Sequence, residues 1–211
     1  MEIEIAENYF VLLPQKAVFW KEQKTLLIGD LHLGKITHFR KAGIAIPSVA
    51  QHYNFATLDT LVMSTNAERI IFLGDLFHHH YNSEWESFAL WRKKYESVEM
   101  IVVLGNHDIL PMSLFDKCNI YVEDHLIENG FLFTHHPLDI IDQNTFVFCG
   151  HIHPVFCLRS AIKQSIKLPC FIKDEQQMIL PSFGVFTGGY EMNAQVGRKI
   201  YVIAEDKVIR V

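Results

Sequence analysis

Short, unbroken apolar runs recur along the chain, and each stops at polar or glycine-containing residues. Thr25–Ile28 runs into Gly29-Asp30, Arg69–Leu73 into Gly74-Asp75, and Met100–Leu104 into Gly105-Asn106. Phe131–Thr134 runs into His135-His136, and Phe146–Cys149 into Gly150-His151. Apolar runs bounded in this way predict buried strands. Between them, Ser48–Met63 follows Pro47, with Ser48 near the cap position, and predicts a helix. Ser83–Tyr95 predicts a second, with Trp85, Phe88, Ala89 and Trp91 on one face. Strand–helix–strand alternation means a largely parallel sheet. The C-terminal part changes character and is strand-rich, with Met178–Leu180, Lys199–Ala204 and Val208–Val211, and Glu2–Trp20 also reads as strands. An α/β fold with two mixed sheets packed on each other, flanked by helices, accommodates both halves.

Composition narrows the class. The chain has 211 residues, 49% of them apolar, which excludes a disordered tail and a disulfide-stapled module. No repeat or linker-like stretch divides it, so one domain over residues 1–211 is expected. Net charge is −5, from 19 Lys and Arg against 24 Asp and Glu, which argues against a large basic groove for duplex DNA. It does not exclude nucleic acid, because bound divalent ions add positive charge. Cys118, Cys149, Cys157 and Cys170 form no C-x-x-C pair and read as reduced thiols. The acidic N-terminus is unlike a signal peptide, and no apolar run approaches the roughly 18–20 residues that span a membrane. A cytoplasmic protein with no membrane partner is expected.

The 12 histidines change the picture most. They gather with carboxylates at the strand ends, where ligands bind in open α/β sheets. The clusters are Gly29-Asp30-Leu31-His32, Gly74-Asp75, Gly105-Asn106-His107-Asp108, Thr134-His135 and Gly150-His151-Ile152-His153. Imidazole with carboxylate suits manganese, iron or zinc better than calcium or magnesium. Asp-x-His and His-x-His put alternate residues on one side of an extended segment, so both members can face one site. The carboxylate of Asp75 could bridge two ions, and ions about 3.5–4 Å apart can activate water and clamp a phosphoryl centre. Each cluster alone is weak; the five in order, each at a strand end, are hard to assign to chance.

The order GDLHLG, GDLF, GNHD, TH and GHIH, from about Leu26 to Pro154, resembles the calcineurin-like metallophosphoesterases. That resemblance implies a four-layer α/β/β/α sandwich of two packed sheets. It implies that Asp30, His32 and His153 hold one metal ion, that Asp75 bridges, and that Asn106, His135 and His151 hold the second. His107 would act near the leaving group, with Asp108 orienting it. The implied reaction is in-line attack on phosphorus by a hydroxide bridging the ions. Thr134-His135-His136-Pro137 departs from the commoner Thr-His-Gly form; His135 holds the family's position, and His136 is its neighbour or the true ligand. GDLHLGKITHFRKAGIAIP, GDLFHH with SEWESFALW, GHIHP and PSFGVFTGG are similar to the ligase-associated DNA damage response endonucleases, over nearly the whole chain. This narrower resemblance implies a DNA phosphodiesterase of repair, two divalent ions with manganese first and iron, zinc or nickel as alternatives, and association with DNA ligase and other repair proteins. A phosphodiesterase for cyclic nucleotides or nucleotide diphosphate conjugates keeps the same chemistry. A non-catalytic scaffold would be expected to lack ligands that are all present here.

Around this core, Lys35, His38, Arg40 and Lys41 either contact substrate phosphate or form a solvated basic loop, with Arg40 the candidate for a bidentate fork. Gly29 to Lys35 also fits a P-loop pattern, but Ile36 stands where Ser or Thr would hold magnesium. His78 is a candidate substrate contact; His79 and His80 read as loop residues, and His52 and His125 as structural. Arg92-Lys93-Lys94 reads as a solvated helix face or a nucleic-acid contact. Phe183, Phe186 and Tyr190 either stack a base or pack.

Overall fold

The computed structural model describes residues 1–35, 49–77, 83–159, 164–185 and 187–211. Its first sheet follows chain order: β1 (Glu2–Ile5), β2 (Asn8–Leu13), β3 (Ala17–Trp20), β4 (Thr25–Ile28), β5 (Arg69–Leu73), β6 (Glu99–Val103) and β7 (Tyr121–Glu123). The N-terminal strands are antiparallel, and β4 to β7 are parallel. The apolar runs of β4, β5 and β6 are buried on both faces, as parallel strands must be. Alternate side chains part company there. Leu26, Ile28, Ile70, Phe72, Met100 and Val102 face the helices. Leu27, Ile71, Leu73, Ile101 and Val103 face the second sheet.

The helices α1 (Val49–Thr65), α2 (Ser83–Lys94) and α3 (Met112–Lys117) supply Leu58, Leu61, Trp85, Phe88, Trp91 and Phe115 to the first of these cores. Both longer helices begin and end within two residues of the expected positions.

The second sheet uses β8 (Leu126–Glu128), β9 (Phe131–Phe133), β10 (Phe146–Cys149), β11 (Pro154–Arg159), β12 (Ser165–Lys173), β13 (Gln177–Ile179), β14 (Tyr190–Glu191), β15 (Lys199–Ala204) and β16 (Lys207–Arg210). Its order is β14-β11-β12-β13-β10-β9-β8, with β15 and β16 continuing from β12. It is mixed: β9, β10 and β13 are parallel, β12 antiparallel. Phe131, Phe133, Phe146, Phe148 and Phe171 point into the core shared with the first sheet, against Phe10 and Trp20. The two packed mixed sheets are those expected. Among the described residues helices cover only the first sheet. Leu138 and Ile141 of the β9–β10 connection, with Met192, pack over the outer side of the second. Pro137 and the polar residues between β9 and β10 suit a loop there rather than a helix. No described helix is long and apolar enough to cross a membrane. The four cysteines are free.

Candidate metal centre

β4 and β5 pair from Thr25–Arg69 to Ile28–Phe72, and their partnership continues past the strand ends. The N–H of Asp30 donates to Gly74 O (3.3 Å), that of His32 to Asp75 O (2.9 Å), and that of Leu33 to Leu76 O (2.9 Å). The backbone along this continuation is not extended. Asp30, His32 and Asp75 have φ of 51°, 48° and 49°, and His151 and His153 repeat the pattern at 67° and 52°. Asp30 and His32 do share a site, as do His151 and His153. They reach it through left-handed turns at alternate residues instead of the expected pleat. The turn at Asp30 takes its carbonyl out of this pairing. Asp30 O accepts from Ser182 Oγ (2.9 Å) and from Gly184 N–H (3.1 Å). Such backbone costs about 1–3 kcal/mol per residue and persists only where neighbours impose it.

Two glycines make the approach possible. Gly74 has φ of 81°, and a Cβ there would overlap the His135 ring. A Cβ on Gly105 would overlap the backbone and carboxylate of Asp75.

The donors converge in three groups linked through Asp30 and His135, the third being His135, His136 and His151. Asp30, His32 and His153 form one: His153 Nε2 lies 3.1 Å from Asp30 Oδ1 and 3.3 Å from His32 Nε2. Asp30, Asp75 and His135 form the next, with His135 Nε2 3.6 Å from Asp75 Oδ1. His32 Nε2 stands 3.8 Å from Asp75 Oδ2, so Asp75 lies between the two imidazole sets. His151 Nδ1 is 3.1 Å from His135 Nε2. The His135 Nδ1 faces Leu73 O at 3.0 Å, which places its hydrogen there and leaves the Nε2 lone pair for the cluster. Burial, then neighbouring His135, pushes both His136 and His151 below the ordinary histidine value, which keeps them neutral donors.

A divalent cation fits this set. Asp30 and Asp75 are buried side by side, and among the described residues only imidazoles lie within ion-pair distance. Asp30 Oδ2 accepts the His151 N–H at 2.9 Å, but Asp30 Oδ1 is buried with no hydrogen bond. A buried carboxylate oxygen surrounded by imidazole nitrogens, without a donor hydrogen, calls for a cation.

The Gly105–Asp108 loop closes the centre. The His107 N–H donates to Asp75 Oδ1 at 2.9 Å, and the half-exposed His107 ring stands 4.0 Å from Asp75 Oδ2. Asn106, which precedes His107 on the loop, is exposed. Asp108 has partners other than the expected His107 ring. Its oxygens accept the N–H groups of Phe77 and Gly105, each at 3.0 Å, and so tie this loop to the β5 tip. Burial raises its carboxyl to about 6, against those two hydrogen bonds.

Arg40 and His78, with His38, Lys41, His79, His80 and Phe186, lie outside the described residues. Lys35 is inside them. Burial lowers its ammonium, against the pull of Asp75 and Asp30. Arg92 is neither a solvated nor a nucleic-acid-facing residue: it is buried and donates to the carbonyls of Tyr95, Cys118 and Asn119. Phe183 packs in the helix-side core, and Tyr190 is exposed. Two contributors escape a sequence reading. Glu84 accepts the Gly34 N–H from α2, and Ser182 supports the Asp30 carbonyl. His125 is exposed beside a cavity of about 430 Å³ that also meets Leu104, Ile127, Leu132, His135 and His136. In the sequence, His125 reads as a structural residue.

The family profile of the calcineurin-like phosphoesterases matches residues 23–180. The chain is similar to the crystal structure of Pseudomonas putida nuclease MPE, with 30% identity and a TM-score of 0.82, covering 100% of this chain and 99% of that one. Yfce, a phosphoesterase from E. coli, is similar at 14% identity with a TM-score of 0.47, over 89% of this chain and 97% of that chain. No curated protein sequence matches. With a family profile spanning most of its length and a strand-end cluster of carboxylates and imidazoles, the chain belongs to the calcineurin-like phosphoesterases and is a metal-dependent enzyme.

Proposed function

We propose that this single domain is a dinuclear phosphodiesterase that cleaves DNA in repair. The observation that carries the metal reading is the convergence of Asp30, His32 and His153 with Asp75, His135 and His151 around the unbonded Asp30 Oδ1. In this reading Asp30, His32 and His153 hold one ion, Asp75 is shared, and Asn106, His135 and His151 hold the other. Two divalent ions, manganese first, would supply an activated water and neutralise charge on the phosphoryl oxygens.

The chain's own residues do the rest. The Leu73 carbonyl fixes the His135 tautomer, and the His107 N–H fixes the Asp75 carboxylate. The half-exposed His107 ring, at the edge of the cluster, holds the proton that the leaving oxygen takes. Asp108 keeps that ring in place through the backbone.

Likeness to a nuclease along the whole chain supports a nucleic-acid substrate. With a net charge of −5, phosphate recognition falls to the ions, Lys35 and, beyond the described residues, Arg40 and His78. The cavity of about 430 Å³ beside His135 has room for a nucleoside. The setting we assign is the cytoplasm, in association with DNA ligase and other repair proteins.

The test is a paired assay on metal-stripped protein reloaded with Mn²⁺, using labelled DNA and a synthetic phosphodiester, with Asp75→Asn as control. We expect cleavage of both substrates, lost together with bound metal in a variant that stays folded. Cleavage of the small diester alone would keep the metal reading and move the substrate to a nucleotide or another metabolite. Full activity in Asp75→Asn would remove the shared-ligand role.

A further inference from the structure

Consecutive residues of an extended chain point to opposite sides. His135 and His136 do not. Thr134 Oγ donates to the His136 carbonyl at 2.7 Å and closes a turn over the pair. His135 goes inward, buried behind Gly74. His136 stays at the surface, yet its ring leans back over the cluster. Its centroid lies 4.2 Å from the His151 ring and 4.7 Å from the His135 ring. One nitrogen from each of the three rings falls within 4.8 Å of the others. Bonds from nitrogen to a first-row ion are about 2.1 Å, so donors that share one ion lie within about 4.2 Å of one another, close to this spacing.

The two ends of the centre therefore differ in chemistry. The Asp30, His32 and His153 group is part oxygen, whereas the His135, His136 and His151 group is all imidazole. With Asp75 shared and Asn106 beside it, His136 raises the second position to three imidazoles against two in the first, and a larger imidazole share favours zinc and nickel over manganese. We propose that His136 joins His135 and His151 as a third imidazole donor at the second ion position, and biases that position toward zinc-like ions. Both neighbouring histidines are thus donors. The inference rests on the dinuclear reading above and adds a ligand and a selectivity to it.

The test titrates Zn²⁺ and Mn²⁺ into metal-stripped wild type, His136→Ala and His136→Asp, counting equivalents and affinities calorimetrically. The absorption spectrum of Co²⁺-loaded protein is recorded for each. Because His136 is exposed, its removal opens no core, and circular dichroism checks the fold. Wild type should bind two equivalents. His136→Ala should keep the first Zn²⁺ and weaken the second by about tenfold or more, the scale at which even indirect support of a ligand is felt. Mn²⁺ should change less, and the Co²⁺ spectrum of the second equivalent should shift. His136→Asp should restore the second equivalent with a lower Zn²⁺ to Mn²⁺ ratio, which mere ring packing would not do. Two equivalents with unchanged Zn²⁺ affinity and Co²⁺ spectrum in His136→Ala would overturn the assignment and leave the dinuclear reading standing. Fewer than two equivalents in wild type would overturn both.

Discussion

At the scale of single residues, the centre is built from backbone that most side chains avoid. Asp30, His32, Asp75, His151 and His153 all sit at positive φ, and each turn aims a donor inward. Gly74 is the point where that arrangement tolerates least. Gly74→Ala meets both a φ of 81° and the His135 ring, so we expect a loss of about 1–3 kcal/mol in stability and reduced metal uptake. Urea unfolding and metal analysis would show it, and a variant with wild-type values in both would refute the role given to this glycine. His107 stands apart as the half-exposed ring of the group. His107→Ala should keep its metal and lose about 10²–10⁴-fold in turnover. Loss of metal instead would make His107 a ligand or a support for one.

At the scale of elements, polar side chains decide how helices sit on the sheet. Asp59 of α1 accepts hydrogen bonds from Trp91 Nε1 (2.9 Å), Lys94 Nζ (2.7 Å) and Tyr95 OH (2.7 Å), joining α1 to the end of α2. Arg92 then ties that end to the residues after α3. Burial by itself would raise the Asp59 carboxyl, but the three donors hold it below its ordinary value. A carboxyl depressed in the folded state contributes stability above its unfolded pKa, and that contribution vanishes as pH falls through the folded value. Asp59→Asn should therefore be less stable than wild type at neutral pH, by about 2 kcal/mol. The gap should close as the medium is acidified below about pH 4. Melting temperatures across that range test it; a constant gap would place the effect in packing rather than charge.

At the scale of the molecule, the strand tips are held in common by the aromatic core between the sheets. Phe148 stacks on Phe133 at 5.8 Å and lies 4.9 Å from Phe10 of the opposite sheet. It also precedes Cys149-Gly150-His151, so the same strand fills the core and delivers a donor. Phe148→Ala should cost about 3–5 kcal/mol, a large part of a typical stability of about 5–15 kcal/mol. Ions bound only by the folded protein add stability by mass action, so chelation should lower the melting temperature and restored metal should raise it. A melting temperature indifferent to metal in wild type would argue against tight binding at this centre.

The runs Thr25–Ile28, Arg69–Leu73, Phe146–Cys149 and Lys199–Ala204 are strands with the bounds their apolar residues announce. Burial on both faces leaves no polar position to blur the ends. The donor types were equally legible, because they follow glycine at the ends of those runs. The hairpin of β11 and β12 was not, since its outer part carries Arg159, Ser165 and Lys167 and lacks a long apolar run. Nor was the fate of Arg92, because a charge on a helix reads as solvated until the carbonyls of Cys118 and Asn119 are known to face it. His32 and His153 stand 121 positions apart in the chain and 3.3 Å apart in space. Sequence alone determined which groups this protein could present to a metal and where each leaves its strand, since local burial and turn chemistry suffice for that. How they meet depends on contacts between segments remote in sequence, which impose the left-handed turns, the close glycines and the partners of Asp108.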